Sequence, residues 1–253
     1  MTRRALIISN PGEQGDEEYC RGVFRDVANY RNFLTSACGG FWDASTIKER
    51  ARPSIIEVRQ AIRELAQYDY ALVVFTGHGW YSTDLDSTVL ILKAGQEIDS
   101  SELQQGPPKQ TIILDCCRVK STGLPLDESI IRASEALLLN SASSRLDPAQ
   151  CRLYYTNHIE SCEPGVVVVH SCSSGERSQD DSQRGGLYSY NLIEVAEQWA
   201  ADNNIDLTTK ADIFSVVRAH ESASQAAQRK RADQHPQMEK ARSGPYFPFC
   251  VVA

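Results

Sequence analysis

Two short blocks of this chain carry side chains able to do chemistry together: Gly77-His78-Gly79 and Asp115-Cys116-Cys117. Each follows an apolar run, residues 70–76 for the first and 111–114 for the second. Continuous apolar runs of that length read as buried strands of a parallel sheet. In open α/β sheets, ligands and catalytic groups collect beyond the carboxyl ends of such strands. If the two strands are neighbours, an imidazole and a thiol face each other across the sheet edge. That pair suits acyl transfer: the thiolate attacks, while histidine promotes its formation and then protonates the leaving amine. Gly77 lets the chain turn sharply out of its strand, and Gly79 leaves a backbone N–H uncovered. With the N–H of the nucleophile, that amide can hold an oxyanion. Taken singly, Gly-His-Gly is a common tight turn, and a cysteine after a strand is commonly packing. Both together, at strand ends in this order, make the stronger signal.

The elements that must position these blocks alternate between strand-like and helix-like, the pattern of an α/β fold with a mostly parallel sheet. Residues 5–8 read as a short buried strand, and Val23, Val27, Tyr30 and Leu34 mark one face of a helix over 19–34. Residues 41–47 alternate like a strand. Ser54 with Glu57 forms a capping box that opens a helix whose buried stripe is Ile55, Val58, Ile62 and Leu65. Between 80 and 100 the alternating stretch 87–93 suggests a small hairpin excursion. Residues 166–170 read as a third buried strand, followed by a loop over 173–186. Helices are expected over 187–200 and 209–231, and a closing strand over 247–252. Residues 118–165 are less regular, with a helix near 128–139 and a polar stretch at 140–148. They form the best candidate for an exposed, cleavable linker between a part carrying His78 and the cysteines (1–117) and a C-terminal part (166–253).

Composition removes other classes. The 253 residues hold 26 Lys and Arg against 33 Asp and Glu, a net charge of −7, with 42 % hydrophobic and 23 % charged residues. That is ordinary for a globular protein and wrong for a disordered one. A pI near 5.3 argues against nucleic acid as a partner, and Arg229-Lys230-Arg231 reads as a solvated helix end. No run approaches the ~18–20 apolar residues of a membrane span. The N-terminus is broken by Ser9-Asn10-Pro11-Gly12 before a leader's apolar region could be complete. A cytoplasmic protein without a membrane partner is expected. The eight cysteines include no C-x-x-C pair, so neither a structural zinc site nor a thioredoxin-type motif is supported. Most should be small buried hydrophobes in a reducing compartment.

The chain resembles the caspase-like cysteine peptidases, in particular the metacaspase, paracaspase and bacterial caspase-like branches. The resemblance rests on Phe75-Thr76-Gly77-His78-Gly79 and Ile113-Leu114-Asp115-Cys116-Cys117-Arg118. The flanking segments 21–27, with Arg21, Gly22 and Asp26, and 185–190, with Gly185 and Tyr190, extend it over nearly the whole chain. It implies a caspase-like three-layer α/β/α sandwich with a mostly parallel central sheet, as one peptidase domain over 1–253. It also implies a cysteine endopeptidase acting on protein substrates, in regulatory or defence-related cleavage and sometimes cell death. The family's histidine maps onto His78, and its cysteine, third residue of an Asp-x-Cys block, onto Cys117. The oxyanion donors become the amides of Gly79 and Cys117. Cys116 then points the other way and packs, since side chains alternate near a strand end. Asp26 and Asp115 match the acidic S1 positions of metacaspases and paracaspases, and Asp180 falls where caspases carry an S1 arginine. Carboxylates gathered in one pocket are costly without a cation, and guanidinium is their best planar partner. A basic P1 residue is therefore expected, arginine over lysine.

Further expectations follow from the same resemblance. Ser171 and Cys172 belong to the strand end lining the pocket, beside the edge where a substrate strand adds. His170 is a hydrogen-bonded core histidine, and His158, His220 and His235 form no pattern. Calcium-activated metacaspases place acidic residues downstream of the His and Cys, where this chain has Lys93 and Leu124. No calcium requirement and no cofactor are implied. Arg145, within Ser143-Ser144-Arg145-Leu146-Asp147, is the candidate autoprocessing site. Oligomeric state is open: residues 247–252 could be a free, dimerising edge or a capped one. Three other readings compete. A silent caspase-like interaction module is opposed by the intact His78, Cys117, Asp26 and Asp115. A redox or metal site on Cys116 and Cys117 is opposed by the strain of a vicinal disulfide and by ligand spacing. A nucleotide-binding domain lacks a glycine-rich phosphate loop after its first strand.

Overall fold

The computed structural model describes residues 1–120, 146–203, 211–241 and 243–253. In chain order the strands are β1 (Arg3–Asn10), β2 (Ile47–Ala51), β3 (Tyr70–Gly77), β4 (Gly79–Ser82), β5 (Ser87–Lys93), β6 (Gln96–Asp99) and β7 (Lys109–Asp115). They continue with β8 (Gly165–His170), β9 (Asp180–Asp181), β10 (Gly185–Gly186), β11 (Asp212–Ser215), β12 (Gln237–Glu239) and β13 (Pro248–Val252). The helices are α1 (Gly22–Thr35), α2 (Ile55–Leu65), α3 (Pro148–Ser161), α4 (Leu187–Asn203) and α5 (Val216–Lys230).

The central sheet runs β12-β8-β7-β3-β1-β2. All its pairings are parallel except that of β12 with β8. Each inner strand is apolar on both faces, as a sheet covered by two layers requires. The period of two sorts its residues. Ala5 and Ile7 of β1, Leu72 and Val74 of β3, and Ile113 of β7 pack with Tyr30, Phe33, Tyr155, Tyr188, Leu192 and Val217, the layer of α1, α3, α4 and α5. Leu6, Ile8, Val73, Phe75, Ile112 and Leu114 pack the other way, against α2 and the β4–β5–β6 sheet through Val58, Ile62, Leu65, Leu90 and Leu92. Each fully buried aliphatic side chain contributes roughly 1.5–3 kcal/mol, so these layers dominate stability. Ser54 caps α2 with the reciprocal Ser54–Glu57 capping box in place, a feature worth about 1 kcal/mol. Val58, Ile62 and Leu65 form its buried stripe, with Ile55 partly covered.

Several sequence-based expectations are corrected. Residues 41–47 do not form a strand: Phe41 takes a positive φ of 46°, and Asp43 accepts from Ser45 N–H to cap a short 3₁₀ turn, Ala44–Thr46. The strand follows, with Ile47 opposite Ala5 and Ala51 opposite Ser9. The helix expected over 209–231 begins late. Asp212–Ser215 pairs antiparallel with β13, and only then does Ser215 accept from Arg218 N–H and start α5. The closing strand is neither a free nor a capped edge of the central sheet. All five β13 residues are buried, and Tyr155 Oη donates to the Pro248 carbonyl (2.9 Å). The outer strand on that side is β12, three residues whose middle one alone is partly buried. The stretch 118–165 is not all linker, because Asp147 caps α3 with Pro148 in its first turn. The helix expected near 128–139, Arg145 and Leu124 lie outside the described residues.

Candidate active site

Strands β3 and β7 are adjacent and in register, Thr76 opposite Asp115, so the chain leaves both at the same edge carrying His78 and Cys117. Gly77 has φ 144°, and a Cβ there would run into the backbone of Asn10. His78 is half-buried, and its Nε2 lies 3.2 Å from the carbonyl oxygen of Pro11. A carbonyl only accepts, so Nε2 is the donor in this contact and Nδ1 is the nitrogen left for other partners. The same carbonyl accepts from Cys20 N–H (2.8 Å). Cys117 is half-buried, with Sγ 3.7 Å from the Ser178 carbonyl oxygen.

Cys116 points the other way, as expected. It is buried in the layer of α2, and burial pushes its thiol well above the usual range. A Cβ on Gly79 would come within 2.8 Å of the Cys116 Sγ, so this glycine also makes room for packing. The two thiols diverge, which removes the geometric basis of a site joining them. Cys172 is buried, its Sγ near the carbonyls of Cys116 and Glu176 (3.5 Å each), and burial raises its thiol too. Ser171 donates to the Cys116 carbonyl (3.2 Å). His170 is buried with Nε2 3.3 Å from Glu239, the hydrogen-bonded core histidine expected. His158, His220 and His235 meet the Tyr246 carbonyl, the Tyr188 hydroxyl and Glu176 respectively, in three separate places.

Three carboxylates gather beside this edge. Asp26 on α1 is 1 % exposed and accepts from Thr76 Oγ1 (2.6 Å) and Gly186 N–H (2.9 Å). Asp115 is 5 % exposed and accepts from Ser178 Oγ (2.6 Å) and from Ser189 N–H (3.0 Å) in the first turn of α4. Asp180 accepts from Gly22 N–H (3.1 Å) at the start of α1. Two of the carboxylates thus sit on helix N-termini, which favour negative charge. Backbone room is needed for all three: a Cβ on Gly185, Gly186 or Gly22 would overlap the carboxylates of Asp26, Asp115 and Asp180. Burial first, then the neighbouring Asp115, raises Asp26 well above the ordinary carboxylate value. Burial also raises Asp180, to about 6, with Asp115 and Asp181 adding to it and His78 opposing. Like charges held this close disfavour one another's ionised forms.

His78, Cys117, Gly79, Asp26, Asp115 and Asp180 are therefore brought to one edge. Three further residues shape it. Pro11, seen in the sequence only as a turn former, orients His78. Ser178 touches both Asp115 and Cys117. Gln234, 1 % exposed, accepts from Gln179 N–H (3.2 Å) and donates to the Ser171 carbonyl (2.9 Å), tying loop 173–186 to the end of β8. An isolated glutamine after a helix gave no sequence signal for this.

The family model described as "Caspase domain" matches residues 2–247. No curated protein matches the sequence. Among solved structures the chain is similar to the crystal structure of caspase-1 from Spodoptera frugiperda, at 15 % identity and a TM-score of 0.58. That match covers 94 % of this chain and 86 % of the other.

Proposed function

The chain belongs to the caspase-domain peptidase family, and on that premise we propose that it is a cysteine endopeptidase of the metacaspase-like kind, cutting protein chains after arginine or lysine. The observation that carries this is the convergence of His78, Cys117, the buried carboxylates of Asp26 and Asp115 and the half-buried one of Asp180 at one sheet edge. In this reading His78 Nδ1 takes the Cys117 proton, and the thiolate attacks the carbonyl carbon of the scissile bond. The N–H groups of Gly79 and Cys117 receive the oxyanion. On collapse the imidazolium protonates the leaving amine, and water then hydrolyses the thioester with His78 as base. A P1 guanidinium enters among Asp26, Asp115 and Asp180, where its planar fork can reach two carboxylates at once. An ammonium makes point contacts only, which places arginine ahead of lysine. The setting is the cytoplasm, the substrate a protein, and the role regulatory or defence-related.

The Asp180 carboxyl, raised to about 6, gives this pocket a pH signature. Its ionised form binds the guanidinium, so kcat/KM for an arginyl peptide should rise as pH passes upward through about 6. Asp180→Asn should flatten that step. A step retained in Asp180→Asn overturns this part of the reading. Stability has the opposite sign. A carboxyl raised in the folded state stabilises below its unfolded value and loses that contribution as pH climbs through its folded value. The window is 3.8 to about 6 for Asp180.

Self-cleavage after Arg145 belongs to the same proposal. Intact mass after incubation should show fragments ending at Arg145 in wild type and none in Cys117→Ala. Fragments absent from both samples would remove the site from the account.

A further inference from the structure

Between β1 and α1 the chain makes an eleven-residue excursion, 11–21, that the catalytic reading uses only for its first carbonyl. Pro11 O receives both His78 Nε2 (3.2 Å) and Cys20 N–H (2.8 Å). The far end of this loop therefore folds back beside the edge of the imidazole that carries Nε2. Gln14, Gly15, Asp16, Tyr19, Arg21 and Phe24, from this loop and the first turn of α1, line a groove of about 570 Å³. Its apolar content is the Tyr19–Phe24 pair, ring centroids 6.4 Å apart.

Phe24 is 56 % exposed although it stands on a helix whose buried face already holds Val23, Tyr30, Phe33 and Leu34. It adds nothing to the core, and a lone exposed aromatic would need no explanation. This one lies in a groove against a second ring, continuous with the segment that orients the candidate general acid/base. Phe24 also points away from the carboxylate cradle. It is two positions before Asp26 on the same helix, and such side chains diverge by about 200°. The acyl half of a substrate is held by the cradle, on the buried side of α1. The leaving half is protonated by the imidazole, and the loop 11–21 borders that same imidazole at its Nε2 edge.

Resting on the proposed peptidase reading, we propose that the Tyr19–Phe24 groove binds an apolar or aromatic side chain of the substrate on the leaving-group side of the scissile bond. Specificity then extends past P1: arginine fills the acidic cradle, and a following hydrophobic residue covers the two rings. The ligand class is a protein segment with a basic residue followed within two positions by Phe or Leu.

Three substrates test this on the full chain: an arginyl coumarin amide, and two internally quenched peptides in which arginine is followed by Phe-Leu or by Gly-Ser. The coumarin amide has no residue on the leaving side and gauges the reactive pair alone. Wild type should favour the Phe-Leu peptide by about tenfold in kcat/KM. That ratio should fall toward one in Phe24→Ala and in Tyr19→Ala, and Phe24→Leu should keep most of it. Phe24 is exposed, so its substitution is not expected to threaten folding. A wild-type ratio near one, or equal losses on all three substrates in the variants, overturns this inference and leaves the peptidase reading standing. Failure to cut the coumarin amide overturns the peptidase reading, and this inference with it.

Discussion

Cys117→Ala is expected to abolish cleavage of an arginyl peptide, with kcat falling by at least about a thousandfold, because the covalent route disappears with the thiol. His78→Ala should fall by about the same factor, and the double variant by little more, since nucleophile and base act as one unit. The informative comparison is with the neighbouring thiol. Cys116 is buried between Gly79 and the layer of α2, so Cys116→Ala removes packing and should lower stability by about 1–2 kcal/mol while retaining hydrolysis. If Cys116→Ala were inactive and Cys117→Ala active, the divergence of the two side chains would have been assigned the wrong way round.

The second large effect belongs to Asp115. Its carboxylate is fixed by Ser178 Oγ and Ser189 N–H, and Asn can keep both contacts by turning its oxygen to Ser189 and its amide to the serine hydroxyl. Asp115→Asn should therefore leave the cradle's shape in place and remove one charge from it. Truncating one side of a buried ion pair costs about 2–5 kcal/mol, so kcat/KM for an arginyl peptide should drop by about thirtyfold or more. A leucyl peptide, cut poorly by wild type, makes no pair to lose. A narrowed Arg-over-Leu ratio is the expected readout in paired assays. Equal losses on both peptides would mean that Asp115 supports the fold and takes no part in choosing P1.

What the sequence made legible has a common cause. The runs at 70–76, 111–114 and 166–170 are inner strands buried on both faces, so their apolar continuity is written without interruption. The Ser54–Glu57 box is a local device and was readable for that reason. His78 and Cys117 stood out because glycines or a strand end bracketed them. The elements missed depend on distant partners. Strand β11 is four residues whose apolar pair, Ile213 and Phe214, fits a helical pattern until β13 pairs with it. Strand β12 is short, polar and held by β8 alone in the central sheet. Pro11 and Gln234 act through a carbonyl and a buried amide, contacts that no residue type announces. The carboxylate cradle is intermediate. Asp26 and Asp180 are 154 positions apart in sequence, and they were connected by family resemblance, while Gly22 and Gly185, which make space for carboxylates, stood only as members of the flanking segments.

A Cys117–His78 pair working beside an acidic pocket can be examined with a single panel of peptides. Matched fluorogenic peptides ending in Arg, Lys, Asp or Leu are offered to wild type and to Cys117→Ala. Cleavage is expected after Arg, more weakly after Lys and little after Asp or Leu, with silence from the variant on all four. Cleavage after Asp would contradict the pocket, and arginyl cleavage that survives in Cys117→Ala would contradict the pair.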